Sequence, residues 1–291
     1  MKKIRILILA LMMFLTGCGT VAKTEENQKL TVCTSFYAVY DFTKKVAGDR
    51  ADVINIVPTG TEPHDWEPSS HDMLTISKGS ILFYNGLGME SWIDSVKSSV
   101  GEDSVKYVEL AEGLDVDGSS DPHVWLDPEN AVVMTDRIAE ALCEVDSVNA
   151  EAYKANAENF KAQLTALDEE YKQALEPHKG ESIVVSHEAY SYMCGKYDIA
   201  QQSIEGIIPE TEPSPNRVKE IIDYINENEI KYIFFEELLS PKVAQSISDA
   251  TGAQLLELNP FEGLTEEEIA AGQDYVSVMR ENLQNLIKAL G

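Results

Sequence analysis

Cysteine is scarce in this chain, at four in 291 residues, and no two stand at a CxxC spacing. A dense disulfide framework is thereby excluded. Basic residues are scarce as well: 23 Lys and Arg face 50 Asp and Glu, for a formal net charge of −27. A field of that sign repels a phosphate backbone, so nucleic acid is excluded as a partner, while it attracts cations and keeps a protein soluble. No low-complexity block and no Gly/Ser-rich linker interrupts the chain. The HExxH motif of helical zinc proteases is missing too, because the one His-Glu pair, His187–Glu188, continues with Ala-Tyr-Ser and invites a general-base reading without supporting it. Histidines number only five, so each can be placed individually.

What is present begins with an export signal. Lys2, Lys3 and Arg5 precede an apolar run, Ile6–Leu15, that is too short to span a bilayer as a helix. Leu15-Thr16-Gly17 ahead of Cys18 resembles the lipobox of bacterial lipoproteins, in which the cysteine is lipidated and becomes residue one. The alternative is an ordinary secretory signal cut nearby. The lipobox reading places the protein outside the cytoplasm, held to the cell membrane through Cys18. Residues 19–29 are polar and without periodicity, as a flexible tether would be. The signal removes three basic residues, so the mature chain carries 20 against 50 acids, a charge of about −30. Cys33, Cys143 and Cys194 lie inside apolar patterns and are expected as free buried thiols, with one internal pair left open.

The remaining chain alternates short apolar runs with amphipathic stretches. Residues 30–36, 52–58, 80–86 and 105–110 form one set of predicted strands, and 182–187, 200–205, 232–237 and 253–259 a second. This alternation is βαβ grammar and implies parallel sheets, hence two α/β lobes (30–150 and 177–291), each with its own core. Between them Tyr153, Phe160, Leu164, Leu167, Tyr171 and Leu175 recur at helical spacing, Asn149 stands where a cap belongs, and Pro177 closes the pattern. A helix over 151–176 would be about 39 Å long and would join the lobes as one rigid connection.

Four groups fall just past the carboxyl ends of predicted strands, where open α/β sheets bind ligands. His64 lies in TGTEPHDWEPSS between Pro63 and Pro68, on a segment that prolines make extended and stiff. His123 lies in DPHVWLDP, His187 ends VVSH, and Glu262 follows in LNPFEGL. Two come from each half, so a site made of them lies between the lobes. Three imidazoles and one carboxylate complete a tetrahedral zinc shell, and neighbouring acids can orient the rings through their second nitrogen. Trp66 and Trp125, each two residues past a histidine, are candidates for an apolar surround or for plain core packing. His71 and His178 are expected to face solvent.

GTEPHDWEPS, DPHVWLDP, VVSHEAYSYM, IPETEPSP, YIFFEELLSP and LNPFEGLT, in this order, together resemble the zinc/manganese branch of the solute-binding proteins that feed ABC transporters. The likeness covers nearly the whole exported chain. It implies two α/β lobes joined by one rigid helix, a metal buried between them, and ligand roles for His64, His123 and His187. Many members place an aspartate directly before the proline where this chain has Asn259; members resembling zinc receptors have NPLE-like segments, which implies Glu262 as the matching fourth ligand, with Asn259 or water as the alternatives. The family's long His-rich loop is absent, since GLDVDGSSDPH holds a single histidine. The resemblance implies a monomeric receptor, not an enzyme, that captures Zn(II) and delivers it to a membrane permease. A manganese- or iron-type receptor and a surface adhesin with a structural zinc are the alternatives.

Overall fold

The structure, a computed structural model, describes residues 29–114, 116, 121–209 and 213–291. The signal, Cys18, the tether up to residue 28, most of the short segment before Asp121 and residues 210–212 of IPETEPSP lie outside the described residues.

The first lobe runs β1 (Leu30–Thr34), α1 (Tyr37–Ala47), β2 (Ala51–Asn55), α2 (Ser70–Ile76), β3 (Ile81–Tyr84), α3 (Ile93–Val100), β4 (Lys106–Glu109) and α4 (Pro128–Val145). The long helix α5 (Ala150–Leu175) follows. The second lobe runs β5 (Ser182–Val185), α6 (Ser191–Lys196), β6 (Ala200–Ser203), α7 (Pro215–Glu227), β7 (Tyr232–Phe235), α8 (Lys242–Thr251), β8 (Gln254–Glu257), α9 (Glu266–Ala270) and α10 (Tyr275–Leu290). All strand pairs are parallel, in the orders β2-β1-β3-β4 and β6-β5-β7-β8. The two sheets thus repeat one topology, and in each the order reverses between the first and third strands of the lobe, which opens a crevice at their carboxyl ends. Every predicted strand is present but shorter than expected, and single ladder bonds run on past the ends, as from the Val57 amide to the Ser35 carbonyl at 3.0 Å and from the Ser186 amide to the Phe234 carbonyl at 2.9 Å, before the chain turns into the loops that carry polar groups.

Local chemistry sets the helix boundaries. Asp127 caps α4 by accepting from the Glu129 amide at 2.8 Å, with Pro128 in the first helical position where no amide is required. Ser69 and Asp72 form a reciprocal capping box on α2. Asn149 differs from expectation. It caps nothing, donating instead to Asp146 Oδ2 at 2.7 Å inside a 3-10 turn, Ser147–Asn149, that feeds directly into α5.

The expectation of two separate cores is also corrected. The largest apolar cluster is continuous from Val32, Phe83 and Trp125 through Phe160 and Leu164 of α5 to Ile183, Phe234 and Leu286, and only the outer faces of the sheets carry clusters of their own. Polar ties cross the same boundary. Tyr192 Oη donates to the Asp121 carbonyl at 2.9 Å, and Lys196 reaches Asp127 at 2.6 Å and Asp168 of α5 at 3.3 Å. A shared core with partly buried polar ties resists hinge opening, since separating the lobes would expose the core and break the ties. Cys33 and Cys194 are free and buried, and burial pushes both thiols up to about 12. Cys143 is free but only half-buried, because it sits on the outer edge of α4 beside α5.

Candidate metal centre

The loop bearing His64 is held as its prolines suggest. The Thr61 amide donates to the Pro58 carbonyl at 3.2 Å, and the His64 amide donates to the Glu62 carboxylate at 2.7 Å. The imidazole is thereby turned inward, and His64 is 8% exposed. His123 is fully buried, and its Nδ1 meets Asp121 Oδ1 at 2.7 Å, which leaves Nε2 for the centre. Glu262 follows a tight turn in which the Asn259 side chain accepts from the Phe261 amide at 2.8 Å and Phe261 takes a left-handed φ of 59°. Such a conformation is costly for a bulky residue and persists where surrounding structure enforces it. Here Asn282 bonds both the Asn259 amide and its carbonyl. Asn259 therefore shapes the turn, and Glu262 is the group aimed into the crevice.

These loops bring four donors together. His64 Nε2 lies 3.2 Å from His123 Nε2 and 3.4 Å from Glu262 Oε1, and His123 Nε2 lies 2.8 Å from the same oxygen. With His187 added, one donor atom from each residue lies within 4.8 Å of every other, and all four residues are buried. Donors bonded at about 2.0–2.2 Å around a tetrahedral ion stand roughly 3.3–3.6 Å apart, so the 2.8–3.4 Å separations among His64, His123 and Glu262 are slightly tighter than that and small outward shifts would seat one cation.

Residues 32–289 match the sequence model of the family described as ZnuA, zinc-uptake complex component A, periplasmic. The chain belongs to this family. It is 36% identical to the zinc-binding protein AdcA of Streptococcus pyogenes serotype M3 over 98% of its own length, which spans 61% of that protein. The high-affinity zinc uptake system protein ZnuA of Bacillus subtilis is 32% identical and matched nearly end to end, over 97% of this chain and 96% of that one. Among solved structures, the Zn(II)-bound ZnuA-like domain of Streptococcus pneumoniae AdcA superposes with a TM-score of 0.81 at 36% identity, covering 90% of this chain and 99% of that domain.

Within this cluster the carboxylates and imidazoles hold one another's charge. Burial favours a neutral Glu262, but the bonds from His123 and His64 and the His187 charge hold its carboxyl well below the ordinary range. Burial likewise pulls the His187 imidazole down, yet the Glu236 and Glu262 carboxylates outweigh it and push the ring up to about 10. His123 is raised in the same way, with Asp121 and Glu262 overcoming desolvation. Glu62, half-buried beside Glu262, is pushed up to about 8 by desolvation and then by that neighbour.

Other residues singled out by the sequence fall elsewhere. Trp125 packs on His123 with ring centroids 5.2 Å apart and is fully buried, so it walls the site. Trp66 packs edge-on against Trp92 at 5.7 Å and belongs to the outer core. His71 is exposed. His178 is less open than expected, with a side chain 16% exposed and Nδ1 3.4 Å from Glu181, because the 3-10 turn after α5 folds it back. Glu188 lies 3.5 Å from the Ser203 hydroxyl, outside the cluster.

One buried acid escaped the sequence reading. Glu236, 4% exposed, lies at the end of β7 with its oxygens 3.2 and 3.3 Å from His187 Nδ1. Its signal was available in YIFFEE, an acid directly past a strand end, the same rule that singled out the histidines. Glu237 beside it is exposed, and only the pleat decides which of two adjacent acids points inward.

Proposed function

We propose that this protein is an extracytoplasmic receptor, lipid-anchored through Cys18, that captures Zn(II) and delivers it to the membrane permease of an ABC transporter. The observation that carries the reading is the convergence of His64, His123, His187 and Glu262 into one buried cluster. In this reading His64 and His123 bind zinc through Nε2, and Glu262 supplies the oxygen. His187 binds through Nδ1, since its Nε2 is committed to the Ile207 carbonyl at 2.7 Å. The proton on Nδ1 that faces Glu236 gives way to the cation. The relatives described as zinc-binding and zinc-uptake proteins support the same cargo.

Four protein donors close a tetrahedral shell. A catalytic zinc keeps an open position for water or substrate, so the donor set favours a carrier over an enzyme. Three imidazoles and one carboxylate also suit zinc better than manganese, which prefers oxygen donors in six-coordinate shells, and zinc binds more tightly along the first-row series. Metal analysis of protein prepared without chelators, followed by equilibrium competition between Zn(II) and Mn(II), tests the proposal. One zinc per chain and tighter zinc binding are expected, and tighter manganese binding would overturn it.

A further inference from the structure

His123 and His187 enter the cluster from opposite lobes, with ring centroids 4.8 Å apart, and one short helix reaches the loops of both. α6 begins four residues past His187. The segment between is fixed to the second lobe, where the Tyr190 amide donates to the Gln201 side chain at 3.2 Å and the Tyr190 hydroxyl to the Leu258 carbonyl at 2.6 Å. α6 then crosses to the first lobe and packs against the 3-10 turn Val124–Leu126, directly after His123. Tyr192 donates to the carbonyl of Asp121, two residues before His123, at 2.9 Å, and Lys196 donates to the carboxylate of Asp127, four residues after it, at 2.6 Å. The helix that follows His187 therefore grips the His123 loop on both sides.

Of these two ties the Lys196 one is ionic, and it extends further. The Lys196 side chain is 11% exposed and also lies 3.0 Å from Glu129 at the start of α4 and 3.3 Å from Asp168 of α5. Charge-assisted bonds at low exposure are stronger than neutral ones and hold their partners to one geometry. Lys172 shares Glu129 and Asp168 with it, but joins only α5 to α4 and does not reach the second lobe. A shell whose donors come from two lobes keeps its ion only while those donors stay in register, and loosened register appears mainly as faster dissociation. Resting on the metal-receptor reading above, we infer that Lys196 is a positioning residue that fastens α6 to the His123 loop, holds His123 in register with His187, and so sets the rate at which zinc leaves the site.

The test times zinc release by mixing zinc-loaded protein with excess chromophoric chelator in a stopped-flow instrument, and reads donor geometry from the visible absorption of the Co(II)-loaded protein. Lys196→Met is expected to release zinc at least about tenfold faster, the scale for groups that orient metal ligands, and to alter the Co(II) band. Lys196→Arg keeps a long cationic side chain and is expected to restore both in part. Tyr192→Phe keeps every charge and is expected to speed release about fivefold, the worth of one neutral hydrogen bond, which preserves the test if Lys196→Met does not fold. Lys172→Met takes a cation from the same carboxylates without touching the lobe boundary, and is expected to leave release within about twofold. Equal acceleration in the two Met variants would assign the effect to charge or stability and overturn the inference, as would parent-like release and Co(II) absorption in folded Lys196→Met, or parent-like release in Tyr192→Phe where Lys196→Met does not fold. His64→Ala separates the two readings: zinc affinity unaltered by that substitution removes the metal site itself, whereas loss there with parent-like release in Lys196→Met removes only the role of Lys196.

Discussion

The Trp125 indole N–H donates to the Pro260 carbonyl at 2.8 Å, tying the loop that carries His123 to the loop that carries Glu262. The two residues are separated by 135 positions in the chain. Tyr275 completes the tie from the C-terminal helix by donating to the Trp125 carbonyl. The 2.8 Å approach of His123 Nε2 to Glu262 Oε1 is thus held from behind.

Trp125→Phe keeps an aromatic ring beside Phe36 and His123 but deletes this donor and leaves a void where the larger indole was fully buried. The variant is expected to lose roughly 2–4 kcal/mol of stability in denaturant unfolding, from the void and the orphaned Pro260 carbonyl together, and about tenfold in zinc affinity because the two loops are no longer locked in register. Parent-like zinc affinity in a folded variant would show that the tie serves stability alone.

His64 and His71 stand seven positions apart, one buried in the cluster and one exposed on α2. His64→Ala removes a donor from a closed shell and is expected to weaken zinc binding by about a hundredfold or more, while His71→Ala leaves it within about twofold. Competition titration of both variants gives the comparison. Equal effects would return the stiff proline loop to an ordinary surface turn.

Protons and zinc compete for the same nitrogen lone pairs. With His187 pushed up to about 10, and His123 raised by Asp121 and Glu262, a bound zinc competes with protons for the nitrogens of this cluster. Affinity is therefore expected to rise with pH, by about tenfold per unit for each proton displaced, and to fall as acid is added. Calorimetry in buffers of different ionisation enthalpy counts the protons released, with at least one per zinc expected. An affinity that stays flat between about pH 6 and pH 8 would contradict the raised imidazoles.

Much of the architecture was legible locally. All eight strands and the long helix follow from apolar runs and spacing, because a period of two or of about 3.6 is written in consecutive residues. The proline-bounded His64, and His123, His187 and Glu262 past strand ends, were legible for the same reason. Details that depend on neighbours were not. Asn149 stands where a cap belongs but bonds Asp146 instead, Cys143 and His178 are each half-buried, and the two lobes share one continuous core.

What the sequence determined by itself is which residues are available at the crevice, since strand ends and stiff loops are local properties of the chain. Tertiary structure alone decided which carboxylates reach the imidazoles. Glu262 meets His64 across 198 positions and Glu236 meets His187 across 49, while Glu188, adjacent to His187 in the chain, turns away to Ser203. Those distances depend on the pleat at the end of β7, on the left-handed turn at Phe261 and on how the lobes pack around α5. Such a separation is a sum over every element between the two residues, so no local spacing rule encodes it.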